Sequence, residues 1–176
     1  MFRPTGLAPQ THRPILFLDF DGVLHPNWVY CEEGRPVIKE DPIDGTLGEL
    51  FMWVHHLDAA LKDYPEVRII LSTSWVKGYG FERTKAYLPE SLQLRVIGGT
   101  WDPSFNKREY DKKTRCQEIV ACVVRERLER WCAVDDDVWD WSPKYKEHLV
   151  ATDSRKGLGD PAALARLGEL LTAMVV

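Results

Sequence analysis

The chain has 176 residues, 44% hydrophobic and 28% charged, which suffices for one compact domain with a core that needs no disulfide staples, and is too short for two full domains. Its formal charge of -4 at pH 7 excludes a surface built mainly to hold nucleic acid by its phosphates, although it leaves room for a local basic patch. The longest apolar runs, such as 14–17 and 67–71, fall well short of the about 20 residues that span a bilayer, so no membrane partner is expected.

The first residues, Met-Phe-Arg-Pro-Thr-Gly, contain no apolar stretch of signal-peptide length, and the expected setting is cytoplasmic. Residues 14–18 read as a strand that ends in Asp19-Phe20-Asp21-Gly22. Next comes a hairpin at about 23–40, in which Trp28-Val29-Tyr30 and Val37-Ile38 flank a Gly34 turn; it is placed to act as a flap. From Asp44 as an N-cap, Leu47, Leu50, Phe51, Val54, Leu57 and Leu61 recur at helical spacing until Tyr64-Pro65. A second strand, 67–71, runs into Ser72-Thr73-Ser74-Trp75, and a short helix is predicted over 81–87. Strand 93–97 precedes a helix from about 114 to 131, through Ile119, Val123 and Leu128. Strand 132–134 ends in an acidic run, Asp135-Asp136-Asp137, followed by Asp140; strand 148–151 and a helix from Pro161 to Met174 complete the chain. Near-continuous apolar strands alternating with amphipathic helices specify an α/β fold, a three-layer Rossmann-like domain around a central, mainly parallel five-stranded sheet, with 1–176 forming a single domain.

Two carboxylates delivered two residues apart at the end of a buried strand lie where open α/β sheets bind ligands, although a lone DxD equally describes an Asx turn. Ser72 and the free N–H groups after it could hold a phosphate oxygen. Three adjacent carboxylates repel one another unless they spread into solvent or share a cation, and Mg2+ is the economical bridge. Cys31, Cys116, Cys122 and Cys132 form no CxxC pair and have no histidine at finger spacing. They are expected to be inert packed thiols, with no zinc.

In this order the motifs resemble those of the haloacid dehalogenase-like (HAD) superfamily. In detail they are similar to the small HAD domains of "Swiss Army knife" RNA-repair proteins, whose LDxDGVLxP, LSxSW, RxxEI and TDxxxGL patterns match residues 18–26, 71–75, 115–119 and 152–158. The resemblance implies a phosphatase, a Mg2+-dependent phosphomonoester hydrolase in which Asp19 is the nucleophile that becomes an aspartyl-phosphate and Asp21 is the general acid and base. It implies metal ligation by Asp19, the backbone carbonyl of Asp21, and Asp136, with Asp140 bound directly or through water and Asp135 orienting ligands. Asp136 is favoured over its neighbours because it makes the DxxxD spacing to Asp140. Ser72 joins the catalytic set, and Gly22, Ser72, Thr73 and Lys112 are the expected phosphate-binding positions. The required cation is left among Lys112, Lys113, which fits a generic lysine before a helix, and Arg115, which fits RxxEI.

His25 is expected to be structural, and Trp75, Trp101, Trp139 and Trp141 to pack in the core or at its rim rather than stack a base. Residues 107–115 carry five basic side chains against Glu109 and Asp111, a local net of +3, which either steers a phosphorylated polymer or is a solvated loop. No stretch is long enough for a substantial cap domain. Capless relatives take large substrates, so nucleic-acid ends or phosphoproteins are the expected partners. The alternatives are a small-molecule or nucleotide phosphatase with the hairpin as lid, and a catalytically quiet HAD-fold binding or regulatory module, which the intact Asp19 and Asp21 oppose.

Overall fold

Strand β1 (Ile15–Leu18) is buried at every residue because it lies between two parallel neighbours and under helices on both faces. Its side chains alternate between faces. Leu16 and Leu18 enter one core with Leu57, Leu61, Leu167 and Leu171, whereas Ile15 and Phe17 enter another with Cys116, Ile119 and Cys122. A computed structural model describes residues 12–175; the expectation about the N-terminal leader lies outside the described residues.

After β1 come the hairpin strands β2 (Val29–Glu32) and β3 (Arg35–Ile38), then α1 (Val54–Leu61), β4 (Arg68–Leu71), α2 (Trp75–Tyr79), α3 (Phe81–Lys85), α4 (Glu90–Gln93) and β5 (Val96–Gly99). The chain continues through α5 (Lys107–Tyr110), α6 (Arg115–Glu126), β6 (Trp131–Asp135), α7 (Pro143–Lys146), β7 (Leu149–Ala151), a 3-10 turn (Gly157–Gly159) and α8 (Pro161–Val175). The sheet has the order β5-β4-β1-β6-β7 with every pair parallel. It is the expected Rossmann-like three-layer fold, with a separate two-stranded hairpin and, among the described residues, no large cap. Strand register determines which residues meet at the sheet edge. Leu18 pairs with Leu71 on one side and Val134 on the other, so Asp19, Ser72 and Asp135 emerge side by side at one sheet edge.

In the hairpin turn both Glu33 and Gly34 have positive φ, 49° and 74°, the backbone of a two-residue type I′ connection. Arg83 donates a 2.7 Å hydrogen bond to the Gly34 carbonyl, so the turn is tethered to α3.

Several elements differ from expectation. The helix expected from Asp44 begins only at Val54. Gly45 takes φ 73°, Asp44 accepts from the Thr46 N–H and Leu47, 66% exposed, bridges antiparallel to Glu40, so residues 44–53 form turns and a single bridge despite their helical apolar spacing. The third strand of the chain's apolar pattern lies at Val96–Gly99 rather than 93–97, because Gln93 ends α4 and donates its side-chain amide to the Leu88 carbonyl. Helix α6 stops at Glu126, where Arg127 turns left-handed (φ 54°), and α3 stops at Lys85. Cys116, Cys122 and Cys132 are buried and Cys31 is exposed; burial pushes the Cys132 thiol up to about 12. Among the described residues, no helix is long and apolar enough to cross a membrane.

Candidate active site

At the end of β1, Asp19 is buried and its Oδ1 accepts from the Phe20 N–H at 2.8 Å. Beside it β6 ends in Asp135, wholly buried, and Asp136 follows. One carboxylate oxygen from each of Asp19, Asp135 and Asp136 lies within 4.8 Å of the others. Such crowding disfavours the charged forms. Burial, followed by the charge of Asp19, raises Asp135 well above the usual carboxylate range and pushes Asp136 up to about 7. Burial raises Asp19 too, against the opposing pull of Arg115.

The clustered oxygens fit a hard divalent cation. Gly22 forms part of their cradle. It has φ 68°, and a Cβ there would stand 2.2 Å from Asp136 Oδ2, so only glycine lets the loop pass that carboxylate. Thr152 Oγ1 donates to the Gly22 carbonyl at 2.8 Å and pins the loop. Gly22, expected to touch phosphate, thus has a defined place against Asp136.

The first residue of α6 brings a cation to the same point. Thr114 caps the helix, and its hydroxyl and the Gln117 side chain form a reciprocal capping box. Arg115 then projects into the acids: Nη1 donates to Glu118 Oε2 at 2.8 Å, Nε lies 3.1 Å from Asp135 Oδ2, and Nη2 is 3.7 Å from Asp19 Oδ2. The Nε and Oδ2 atoms are close but out of line, and each is buried without a hydrogen-bond partner. Burial alone would weaken the guanidinium's hold on its proton, yet Asp19, Asp135 and Glu118 more than reverse this. Of the three candidate cations, Arg115 is the one brought to Asp19. Lys112 is exposed and pairs with Glu109 at 2.7 Å. Lys113 stands over the Tyr110 ring at 5.6 Å and lines a cleft.

Ser72 lies beside this group with its hydroxyl fully buried and unpartnered, and the buried Thr73 hydroxyl lowers Asp19. Asp21 is placed differently from Asp19. Its carboxylate turns away from the acids, with Oδ1 3.0 Å from His25 Nε2 and Oδ2 accepting from Trp75 Nε1–H at 2.9 Å. Asp140 is not brought to the cluster. Its left-handed backbone (φ 62°) directs the carboxylate to Thr114 Oγ1 and Gln117 Nε2, each at 3.4 Å, so the DxxxD spacing does not put both acids on one site.

Sequence reasoning missed several neighbours. Asn27 Nδ2 donates to Asp136 Oδ2 at 3.3 Å, Glu118 fixes the Arg115 guanidinium, and Trp75 reaches Asp21 rather than only packing. The spacing of Arg115 and Glu118, three apart in a helix, was a readable signal; the others cross between distant segments. Of the remaining tryptophans, Trp141 is buried and Trp139 is 76% exposed. A cleft of about 160 Å³ is lined by Thr73, Lys77, Trp101, Lys113 and Arg115 among others, and so meets the acids through Arg115.

The acid group, its paired arginine and the buried hydroxyl at one edge of a parallel sheet match the geometry of a phosphoryl-transfer site. A family model described as the HAD domain in Swiss Army Knife RNA repair proteins matches residues 15–163. Searches of curated proteins and of solved structures returned no match. The match and the buried acid cluster make the chain a HAD-type hydrolase with phosphatase-like activity. The chain belongs to the family of HAD domains found in Swiss Army knife RNA-repair proteins.

Proposed function

We propose that this chain is a Mg2+-dependent phosphomonoester hydrolase that works through an aspartyl-phosphate on Asp19 and acts on large substrates, nucleic-acid ends foremost. The observation that carries the reading is the position of Asp19, buried between Arg115 and the Asp135–Asp136 pair at the end of the central strand.

An oxygen of Asp19 attacks phosphorus while the bond to the leaving oxygen breaks, and Asp21 gives that oxygen a proton. Asp21 then takes a proton from water as the water oxygen attacks the same phosphorus, releasing phosphate and regenerating the Asp19 carboxylate. Each Asp21 oxygen keeps a second lone-pair site beside the donors it faces, which accommodates the transferred proton. Arg115 balances the charge gathering on the phosphoryl oxygens, and the Ser72 hydroxyl and the N–H groups after it donate to those oxygens. Mg2+, held by Asp19, Asp136 and the Asp21 carbonyl, would supply charge neutralisation and alignment of the phosphoryl group.

Two features support a large substrate. Among the described residues no cap domain covers the strand ends, and the cleft lined by Arg115 also carries Lys113 and Trp101, the residue types that hold a phosphate backbone and a base, whereas Lys77 in its wall is paired with Asp111 at 2.6 Å. The family's association with RNA repair favours nucleic-acid ends over phosphoproteins. The basic stretch 107–115 contributes less than its +3 suggests, since Lys107 pairs with Asp111 and Lys112 with Glu109. A panel of phosphorylated oligonucleotides, nucleotides, sugar phosphates and phosphopeptides, assayed in Mg2+ and in chelator, tests the proposal. Mg2+-dependent release of phosphate, fastest from oligonucleotide ends, is expected; efficient turnover of a nucleotide or sugar phosphate with none from oligonucleotides would overturn the substrate class.

A further inference from the structure

His25 is wholly buried, and its ring is fixed at both nitrogens. The Phe51 backbone N–H donates to Nδ1 at 3.2 Å. A backbone N–H can only donate, so Nδ1 carries no proton and the neutral ring bears its hydrogen on Nε2. That Nε2–H faces Asp21 Oδ1 at 3.0 Å, while Trp75 Nε1–H, a donor only, faces Asp21 Oδ2 at 2.9 Å. Asp21 is therefore gripped by two donors, one per oxygen.

The grip is itself held. Phe51 has φ 59°, a left-handed backbone that is strained for a bulky non-glycine residue and persists only where its surroundings enforce it. This conformation belongs to the residue whose N–H sets the His25 tautomer. The Phe51 ring packs edge-on against His25 at 4.9 Å, against Trp75 at 5.6 Å and against Phe20 at 5.2 Å. Both donors thus belong to one rigid aromatic cluster, whereas the carboxylate they hold is partly open, at 27% side-chain exposure.

We propose that His25 is a positioning residue which, with Trp75, forms a donor fork that fixes the Asp21 carboxylate for proton transfer, its tautomer set by the strained Phe51 amide. The proposal rests on the reading of Asp21 as the acid and base of an aspartyl-phosphate mechanism. His25 itself neither gains nor loses a proton in the cycle; it orients the group that does. A purely structural His25 would need the Phe51 bond and the ring packing but not the bond to Asp21.

Two amide substitutions separate these roles. The glutamine amide nitrogen reaches the place of Nε2 and can still donate to Asp21, whereas the asparagine amide oxygen reaches the place of Nδ1 and can still accept from Phe51. The full chain with His25→Gln, His25→Asn, Trp75→Phe, Asp21→Asn and Asp19→Asn is assayed in Mg2+ with an aryl phosphate, and acid-quenched samples are analysed for phosphoenzyme. Expected for His25→Asn is a fall in kcat of about a hundredfold, within the range of general acid–base effects. Its KM should fall together with kcat, leaving kcat/KM near wild type, because slowing the second of two covalent steps lowers both. Phosphoenzyme should accumulate, because an aryl oxide leaves with little help from an acid and attack by water is then the step slowed. Trp75→Phe should show the same pattern more weakly, and His25→Gln should retain about tenfold more activity than His25→Asn.

If His25→Asn is as active as His25→Gln or more so, or if the loss appears as a raised KM with kcat unchanged, the positioning proposal is overturned. Asp21→Asn separates that failure from a failure of the mechanism. An active Asp21→Asn beside an inactive Asp19→Asn removes the acid–base reading and the proposal with it; an inactive Asp21→Asn beside an active His25→Asn removes the proposal alone.

Discussion

Arg115 Nη2 stands 3.7 Å from Asp19 Oδ2, just beyond hydrogen-bond distance, because Nη1 is anchored at 2.8 Å on Glu118. The arrangement places a full positive charge beside the proposed nucleophile without occupying its Oδ2. Arg115→Lys keeps the charge but loses the planar fork that binds Glu118 while facing Asp135. It is expected to lower kcat by about a hundredfold, the scale of a lost electrostatic contact to a transition state, while the protein stays folded. Arg115→Ala leaves Asp135 and Glu118 buried without their partner and should in addition lose about 3–5 kcal/mol of stability. Steady-state kinetics with urea unfolding checks both; an Arg115→Lys variant with wild-type kcat would separate the arginine from catalysis.

The acid cluster makes stability depend on pH. The folded-state value of Asp136 is raised from 3.8 to about 7, so folded protein keeps a proton that the unfolded chain has lost. The associated stability is present below pH 3.8 and is lost as pH rises towards about 7. Asp19 and Asp135 are shifted in the same direction. In chelator, the thermal midpoint should therefore fall between about pH 5 and 8. Added Mg2+ should recover it most at the upper end, and Asp136→Asn should flatten the slope. A midpoint that rises with pH in chelator and ignores Mg2+ would show that the acids hold no ion.

Gly22→Ala tests the cradle. The added Cβ would lie 2.2 Å from Asp136 Oδ2 on a backbone with φ 68°, so the carboxylate must move. Stability should drop by roughly 1–3 kcal/mol from backbone strain, and the Mg2+ concentration for half-maximal activity should rise by about tenfold or more, as for displaced groups around a metal. Titrating activity and thermal midpoint with Mg2+ reads both effects; unchanged Mg2+ dependence would contradict the cradle.

The expected strands at β1, β4 and β6 were legible because each is a continuous apolar run ended by polar residues, the mark of a strand buried on both faces. Once those three ends were placed at one sheet edge, Asp19, Ser72 and Asp135 came together there. β5 was shifted because Gly98 and Gly99 carry no apolar signal and Gln93 belongs to a helix. The start of α1 was misplaced because Leu47 and Leu50 keep helical spacing through a segment that Gly45 turns. Where Asp140 points was not legible, because it sits on a left-handed φ that no spacing rule reveals. The grip of His25 and Trp75 on Asp21 joins residues from separate segments, and hydrogen bonds of that kind leave no local pattern.

Lys113 lines the same cleft as Arg115, and among the described residues it makes no ion pair; Lys107 and Lys112 are each paired. Lys113→Glu should raise KM for a phosphorylated oligonucleotide and reduce its dependence on salt, because one phosphate contact is lost. Hydrolysis of a small aryl phosphate should change much less. Equal effects on both substrates would place Lys113 in the chemistry rather than in the hold on a polymer.

The central claim is that phosphate passes through Asp19. Its most direct measurement is mass spectrometry of protein mixed with an aryl phosphate and Mg2+, quenched in acid during turnover and digested. The peptide containing Asp19 is expected to carry one phosphoryl group in the wild type, more of it in His25→Asn, and none in Asp19→Asn, which should also be inactive. Turnover by the wild type with Asp19 unmodified throughout, or an Asp19→Asn variant that hydrolyses the ester at near wild-type rate, would contradict the account.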